Sequence, residues 1–168
     1  NTIDKYIKFQ SPYRDEKNEV RYPAAIGVVQ VKDTALVRRF ISEFRANFPS
    51  DAVFAYGITS KDKKTGRTIN EVPLYALKTY GRAAAKLEGD AISDASAHYD
   101  QFNKVEITMN MKNFGATVWK KMTEDNIGKP IAISLDNVVY SAPNVISAIP
   151  NGISQITGDY SIEEAQDL

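Results

Sequence analysis

Apolar positions recur with a strand-like period of about two in some stretches of this chain and a helix-like period of about 3.6 in others. Ala25 to Val31 is an apolar, β-branched run that predicts a buried strand. Asp33 then stands at an N-cap position. Leu36, Val37, Phe40, Ile41 and Phe44 follow at helical spacing and predict a helix over 34–47, which Pro49 ends. Val53, Phe54, Tyr56 and Ile58 predict a strand over 52–58, so that strand, helix and strand make a βαβ-type unit. Pro73 to Lys78 returns as another strand beyond the charged turn Lys61–Arg67, which reads as a solvated hairpin end.

Residues 81–103 carry conflicting signals. Ala83, Ala84 and Ala85 favour helix, whereas Gly81, Gly89 and the Asp/Ser-rich run Asp90–Asp100 favour turns and short pieces, a natural seam between two lobes. From Lys104 the pattern sharpens. Val105, Ile107, Met109 and Met111 alternate with Glu106, Thr108 and Asn110, as in a half-buried strand. Asn113 stands as a cap for a helix to about Glu124 that turns Phe114, Val118, Trp119 and Met122 inward, and Gly128 closes it. Ile131, Ile133 and Leu135 alternate again up to Asp136-Asn137, two residues that tolerate the positive φ of a tight hairpin turn. Val138 to Tyr140 returns, Pro143 ends that strand, and Pro150-Asn151-Gly152 makes a further turn before a third short strand. Ser161 with Glu164 forms a capping box at the last helix.

The order of elements predicts an α+β fold: a mixed or antiparallel sheet with helices packed on one face, ferredoxin-like or a related two-layer sandwich, in one or two lobes. Residues 1–23, polar and broken by Pro12 and Pro23, read as a partly ordered lead-in; residues 24–168 read as one domain with lobes over 24–80 and 104–168. The absence of an initiator Met, together with an end at Leu168 just inside a helical pattern, reads as a soluble piece of a longer protein.

Composition narrows the function classes. Lys plus Arg equals Asp plus Glu at 21 each, so the chain lacks the basic excess by which nucleic-acid binders neutralise phosphate, and an anionic membrane surface is disfavoured on the same ground. With no cysteine, disulfides, thiolate zinc sites and a cysteine nucleophile are all excluded. His98, the single histidine, is flanked by Asp94 and Asp100 at spacings that suit no standard metal set, and it reads as a surface residue in a polar loop. A small hydrolase would need His98 as base, yet the chain has no Gly-x-Ser-x-Gly turn to expose a nucleophile. Asp136 and Asp159 stand at turns, where Asp is expected for local hydrogen bonding, and Glu163-Glu164 suits the positive end of a helix. No residue is assigned a catalytic, cofactor-binding or metal-binding role.

The C-terminal stretch resembles the large extracytoplasmic domain of SecD, the accessory subunit of the bacterial Sec protein translocase, most closely in its fused SecD–SecF form. The resemblance rests on Gly128, Lys129, Ala132, Ile133, Leu135, Asp136, Val139, Ser141, Ala142 and Pro143, and again on Gly152, Ile156, Thr157, Gly158, Tyr160, Ser161, Glu163, Glu164, Ala165 and Leu168. Asn137 departs from the Gly of many relatives but tolerates the same turn. The signature positions Gly128, Asp136, Ser141, Ala142, Pro143, Gly152, Thr157, Gly158 and Glu164 read as structural. The resemblance implies a non-catalytic domain without cofactors on the periplasmic side of the bacterial inner membrane, hung between membrane segments of its parent. It implies that the domain holds emerging unfolded preprotein beside the Sec translocon channel and the SecF-like half. It also implies movement as the proton-motive force is used by membrane helices absent from this chain. The competing expectation is a structural spacer or oligomer contact, which needs no exposed apolar groove.

Overall fold

Val37 is 0% exposed and packs with Ile7, Val29 and Leu74 at the centre of the first of two units, Asn1–Gly81 with Asp136–Val139. The computed structural model of the chain describes residues 3–59, 62, 65–81, 85–157 and 161–167. In chain order the first unit runs β1 (Ile7–Phe9), β2 (Tyr13–Arg14), β3 (Val20–Arg21), β4 (Gly27–Gln30), α1 (Thr34–Glu43), β5 (Ala52–Gly57) and β6 (Glu71–Lys78). Its sheet has the antiparallel order β1-β4-β6-β5, with Val29 opposite both Ile7 and Val72 and with Tyr56 opposite Leu74. Helix α1 lies on one face: Val37 and Ile41 meet Val29, Leu74, Phe54 and Tyr56, and the Tyr56 hydroxyl donates to the Thr34 carbonyl at 2.9 Å.

Three local expectations change here. The stretch read as a lead-in contributes β1, because Ile7 completes the apolar cluster under α1 and its backbone pairs with β4. Asp33 holds the N-cap position of α1 but its side chain makes no cap hydrogen bond; it also ends a 3-10 turn, Val31–Asp33, across which the Thr34 hydroxyl donates to the Val31 carbonyl. The helix stops at Glu43, and Arg45–Asn47 tightens into a second 3-10 turn. There the Arg45 guanidinium collects the carbonyls of Pro49, Ser50 and Ala52 and directs the chain into β5.

The ribbon β2–β3 is held by Asp15. Its carboxylate accepts from Arg21 Nε at 2.7 Å and from the backbone N–H groups of Glu19 and Lys17. These bonds, the Arg21 one first, hold its pKa below the ordinary 3.8. The ribbon's order contributed by Asp15 is therefore present in full above the ordinary pKa and lost as pH falls through the lowered one. An acid titration followed by NMR should show the Lys17 and Glu19 amide shifts moving below pH 3.8; an Asp15 that titrates at its ordinary value would contradict the geometry.

The second unit, Arg82–Leu135 with Tyr140–Leu168, contains β7 (Ile92–Tyr99), β8 (Val105–Met111), α2 (Asn113–Asp125), β9 (Ile133–Leu135), the end of β10 (Val138–Ser141), β11 (Ile153–Thr157) and α3 (Ile162–Asp167). Its sheet is antiparallel in the order β11-β8-β7. The Asp/Ser-rich stretch expected as turns is thus an eight-residue strand. Its Asp94, Ser96 and His98 pair with Asn110, Thr108 and Glu106 on one face, and Ala95 and Ala97 pair with Met109 and Ile107 on the other. Helix α2 also differs from expectation. Its N-cap is Lys112, without a side-chain cap, and Phe114 and Val118 are 54% and 38% exposed. Trp119 and Thr123 are the buried side chains of its inner face.

Asp136 and Asn137 take φ of 49° and 63°, the left-handed pair that a two-residue hairpin turn requires. Beyond them Val138 and Val139, which belong to the first unit, pair parallel with Tyr56 and Gly57 of β5 and make that sheet mixed. The fold is mixed α+β, as the order of elements predicts.

Candidate functional site

The inner face of the sheet β11-β8-β7 is built by period-two alternation. Strand β8 turns Val105, Ile107, Met109 and Met111 toward it, β11 adds Ser154 and Ile156, and β7 adds Ala95 and Ala97. Trp119 of α2 closes onto this face, and its indole N–H donates to the Ser154 hydroxyl at 2.7 Å in a fully buried bond. Ala165 of α3 is buried as well. Between sheet and helices the packing leaves a cavity of about 630 Å³. Its walls are Ile107, Met109 and Met111, Trp119 and Met122, the segment Ile131–Leu135, Ile156 and Ala165. Ala95 and Ala97, small side chains on an edge strand, border it, together with Ala85–Gly89.

This volume lies in the range of pockets that bury a substantial ligand. The walls are mostly aliphatic, aromatic and thioether groups, with Ser134, Lys86, Glu88, Ser96 and Gln166 as polar members, so most of the binding energy available there comes from removing apolar surface from water. Ser154→Ala should leave the Trp119 N–H buried without an acceptor and cost about 1–3 kcal/mol. Urea unfolding of the two chains measures this, and an unchanged midpoint would mean that the bond contributes nothing.

His98 lies elsewhere. It is on a strand and not in a loop, with Nε2 3.2 Å from Glu106 Oε1 across the β7–β8 register, on the face opposite Ala97 and Ile107 and hence away from the cavity. Its carboxylate partner is thus Glu106 and neither Asp94 nor Asp100. The pair is a cross-strand contact in which the His98 side chain is 46% and the Glu106 side chain 14% exposed. Among the described residues no group of three or more His, Asp or Glu side chains is placed to hold a metal ion.

Of the signature positions, Gly158 lies outside the described residues, and none of the others lines the cavity. Gly128 has φ of 77° and donates to the Val145 carbonyl. The Pro143 carbonyl accepts from Ile131 N–H at 3.1 Å, and the Gly152 carbonyl accepts from Met111 N–H at 2.9 Å. The Ser141 hydroxyl donates to the Thr157 carbonyl at 3.4 Å, and Ala142 joins Ser141 to Pro143. Thr157 pairs with Glu106 next to the wall residue Ile156. Glu164 closes the capping box, accepting from Ser161 N–H at 2.7 Å while its own N–H donates to the Ser161 hydroxyl at 3.2 Å. The cavity as a whole escapes sequence reasoning, because its walls come from five separate segments and its border from two more. The usable signals were partial: the alternation of Ile107, Met109 and Met111, the helical placing of Trp119 and Met122, and the alternation of Ile131, Ile133 and Leu135 each marked one wall but not their meeting.

The pattern of the family described as SecDF, P1 head subdomain, matches residues 65–168, which takes in every wall of this cavity. The chain belongs to the SecDF P1 head family. Protein translocase subunit SecD of Rhodothermus marinus is 41% identical over 144 residues, covering 84% of this chain and 22% of that protein. Its counterpart in Calditerrivibrio nitroreducens is 36% identical over 123 residues, covering 73% and 23%. The chain therefore spans about a fifth to a quarter of the length of these SecD relatives. A solved structure of SecDF, described as a membrane component that enhances protein export, superposes with a TM-score of 0.50 at 23% identity, over 96% of this chain and 73% of that one. The fold is thus shared with that SecDF structure over nearly the whole chain. Among the described residues no helix is long and apolar enough to cross a membrane.

Proposed function

We propose that this P1 head domain assists protein export by holding unfolded preprotein, without catalysis, at the apolar cavity of its second unit. The observation that carries the reading is the cavity itself, about 630 Å³ between a sheet face and two helices and bordered by the edge strand β7. An extended segment laid along an edge strand gains backbone hydrogen bonds from that edge and sends alternate side chains to each face. At β7 one set of those side chains falls beside Ala95 and Ala97, over the cavity. Thioether walls accept side chains of many shapes, which suits a ligand without fixed sequence. A rigid spacer has no use for such an opening.

In this reading the domain stands on the periplasmic side of the inner membrane, next to the translocon channel and the SecF-like half of its parent. Membrane helices outside this chain use the proton-motive force to change its orientation. The signature residues serve the walls: Gly152 and Pro143 fix Met111 and Ile131 through their carbonyls, and Glu164 anchors the helix that carries Ala165.

Photo-crosslinking residues placed at Ala97 and at His98 in the intact export complex test the proposal, since the two neighbours face opposite sides of one strand. A translocating polypeptide should be captured from Ala97 and not from His98. Equal capture from both positions, or capture from His98 alone, would refute binding at the cavity.

A further inference from the structure

The chain has three methionines and no cysteine. All three methionines, Met109 and Met111 on β8 and Met122 on α2, line this same cavity, and each is half-buried. The strand β8 and the helix α2 that follows it thus bring the chain's whole thioether content to a single wall system that opens to solvent. With no thiol present to react first, these sulfurs are the chain's most oxidisable sulfur sites.

We propose that Met109, Met111 and Met122 form an oxidation-sensitive site whose conversion to sulfoxides ends the cavity's capacity for apolar ligands. The co-reactant is a peroxide. A thioether lone pair attacks one oxygen of hydrogen peroxide, the S–O bond forms as the O–O bond breaks, and the departing oxygen leaves as water after proton transfer. Sulfur is oxidised by two electrons and the peroxide is reduced by two. Each product carries a strong hydrogen-bond acceptor where an adaptable apolar group stood. Such an acceptor needs a donor, and the mostly hydrocarbon walls leave water to supply it. Three sulfoxides around one space therefore hydrate it. The change is reversible by the pair of thiol-dependent methionine sulfoxide reductases, one for each sulfoxide epimer, in which two thiols become a disulfide and the sulfoxide oxygen leaves as water. The inference concerns the cavity whichever apolar ligand fills it and does not rest on preprotein as that ligand.

The test uses an anilinonaphthalene sulfonate dye and the energy transferred to it from Trp119, the chain's single tryptophan and itself a wall of the cavity. The chain is measured before peroxide treatment, after it, and after incubation with both epimer-specific reductases together, with peptide mass mapping at each stage. The expected result is one oxygen added at each methionine, a several-fold fall in energy transfer, and recovery on reduction. The variant Met109→Leu/Met111→Leu/Met122→Leu should keep its signal through peroxide. Should that variant not fold, recovery of the native chain on reduction decides the matter. The proposal is overturned if the untreated chain shows no energy transfer to the dye, or if the methionines resist peroxide that oxidises the urea-unfolded chain. Full oxidation with an unchanged or increased dye signal overturns it, as does a loss that persists after both reductases have returned the methionines to the thioether by mass.

Discussion

Replacing Trp119 by alanine is expected to destabilise the second unit by about 3–5 kcal/mol. The indole is 8% exposed, it closes the apolar face of the sheet, and its N–H is bonded to Ser154. Its removal forfeits the burial of the largest side-chain type and enlarges a space that is already open. The Ser154 hydroxyl, 4% exposed as a residue, loses its donor as well. Trp119→Phe separates the contributions, because it keeps most of the volume and loses the N–H; a cost of about 1–2 kcal/mol is expected. Urea unfolding followed by far-UV circular dichroism measures both, independently of tryptophan emission. An alanine variant within 1 kcal/mol of the native chain would mean that α2 is not packed on this sheet as described.

Gly152→Ala should cost about 2–4 kcal/mol, from two additive causes. The residue has φ of +67°, and a Cβ placed on it would meet the Ala116 Cβ at 2.6 Å, the Ala116 Cα at 3.2 Å and the Met111 Cβ at 3.3 Å. The clash is with helix α2 and strand β8, which cannot yield by rotating a long side chain. Gly66→Ala supplies the control, since Gly66 has φ of +66° but nothing within 4 Å of the added carbon. Backbone strain alone predicts about 1–2 kcal/mol there. Equal effects at the two positions would show that the approach of Gly152 to Ala116 is not tight.

Where a single local hydrogen bond or backbone angle decides the structure, the sequence was readable. Asp136-Asn137 announces its hairpin, Ser161 and Glu164 their reciprocal cap, and Gly152 its left-handed turn, each from residues a few positions apart. The period-two run Val105–Met111 was equally plain because one face is apolar throughout. Strand β7 was hidden for the converse reason. Its inward positions are Ala95 and Ala97, too small to mark a face, and its outward ones are turn-favouring Asp94 and Ser96, so only pairing with β8 decides its conformation. Helical spacing marked Phe114 and Val118 as inward, yet α2 packs through the narrower stripe Gly115, Trp119 and Thr123. Gly115 allows that approach, since a Cβ there would sit 2.8 Å from the Ala91 carbonyl oxygen. The cavity is a property of tertiary packing alone: no window of sequence contains Ala97, Met122, Leu135 and Ala165 together.

The return of Val138 and Val139 to pair with Tyr56 and Gly57 carries a consequence for biogenesis. The first unit's sheet lacks its parallel strand until synthesis has passed Val139, by which time β7, β8 and α2 of the other unit have been made. A nascent chain halted earlier holds β5 with that side unpaired, a template for wrong partners. The two units are therefore interdependent in order of assembly, and no single cut in the gene separates them into two complete pieces.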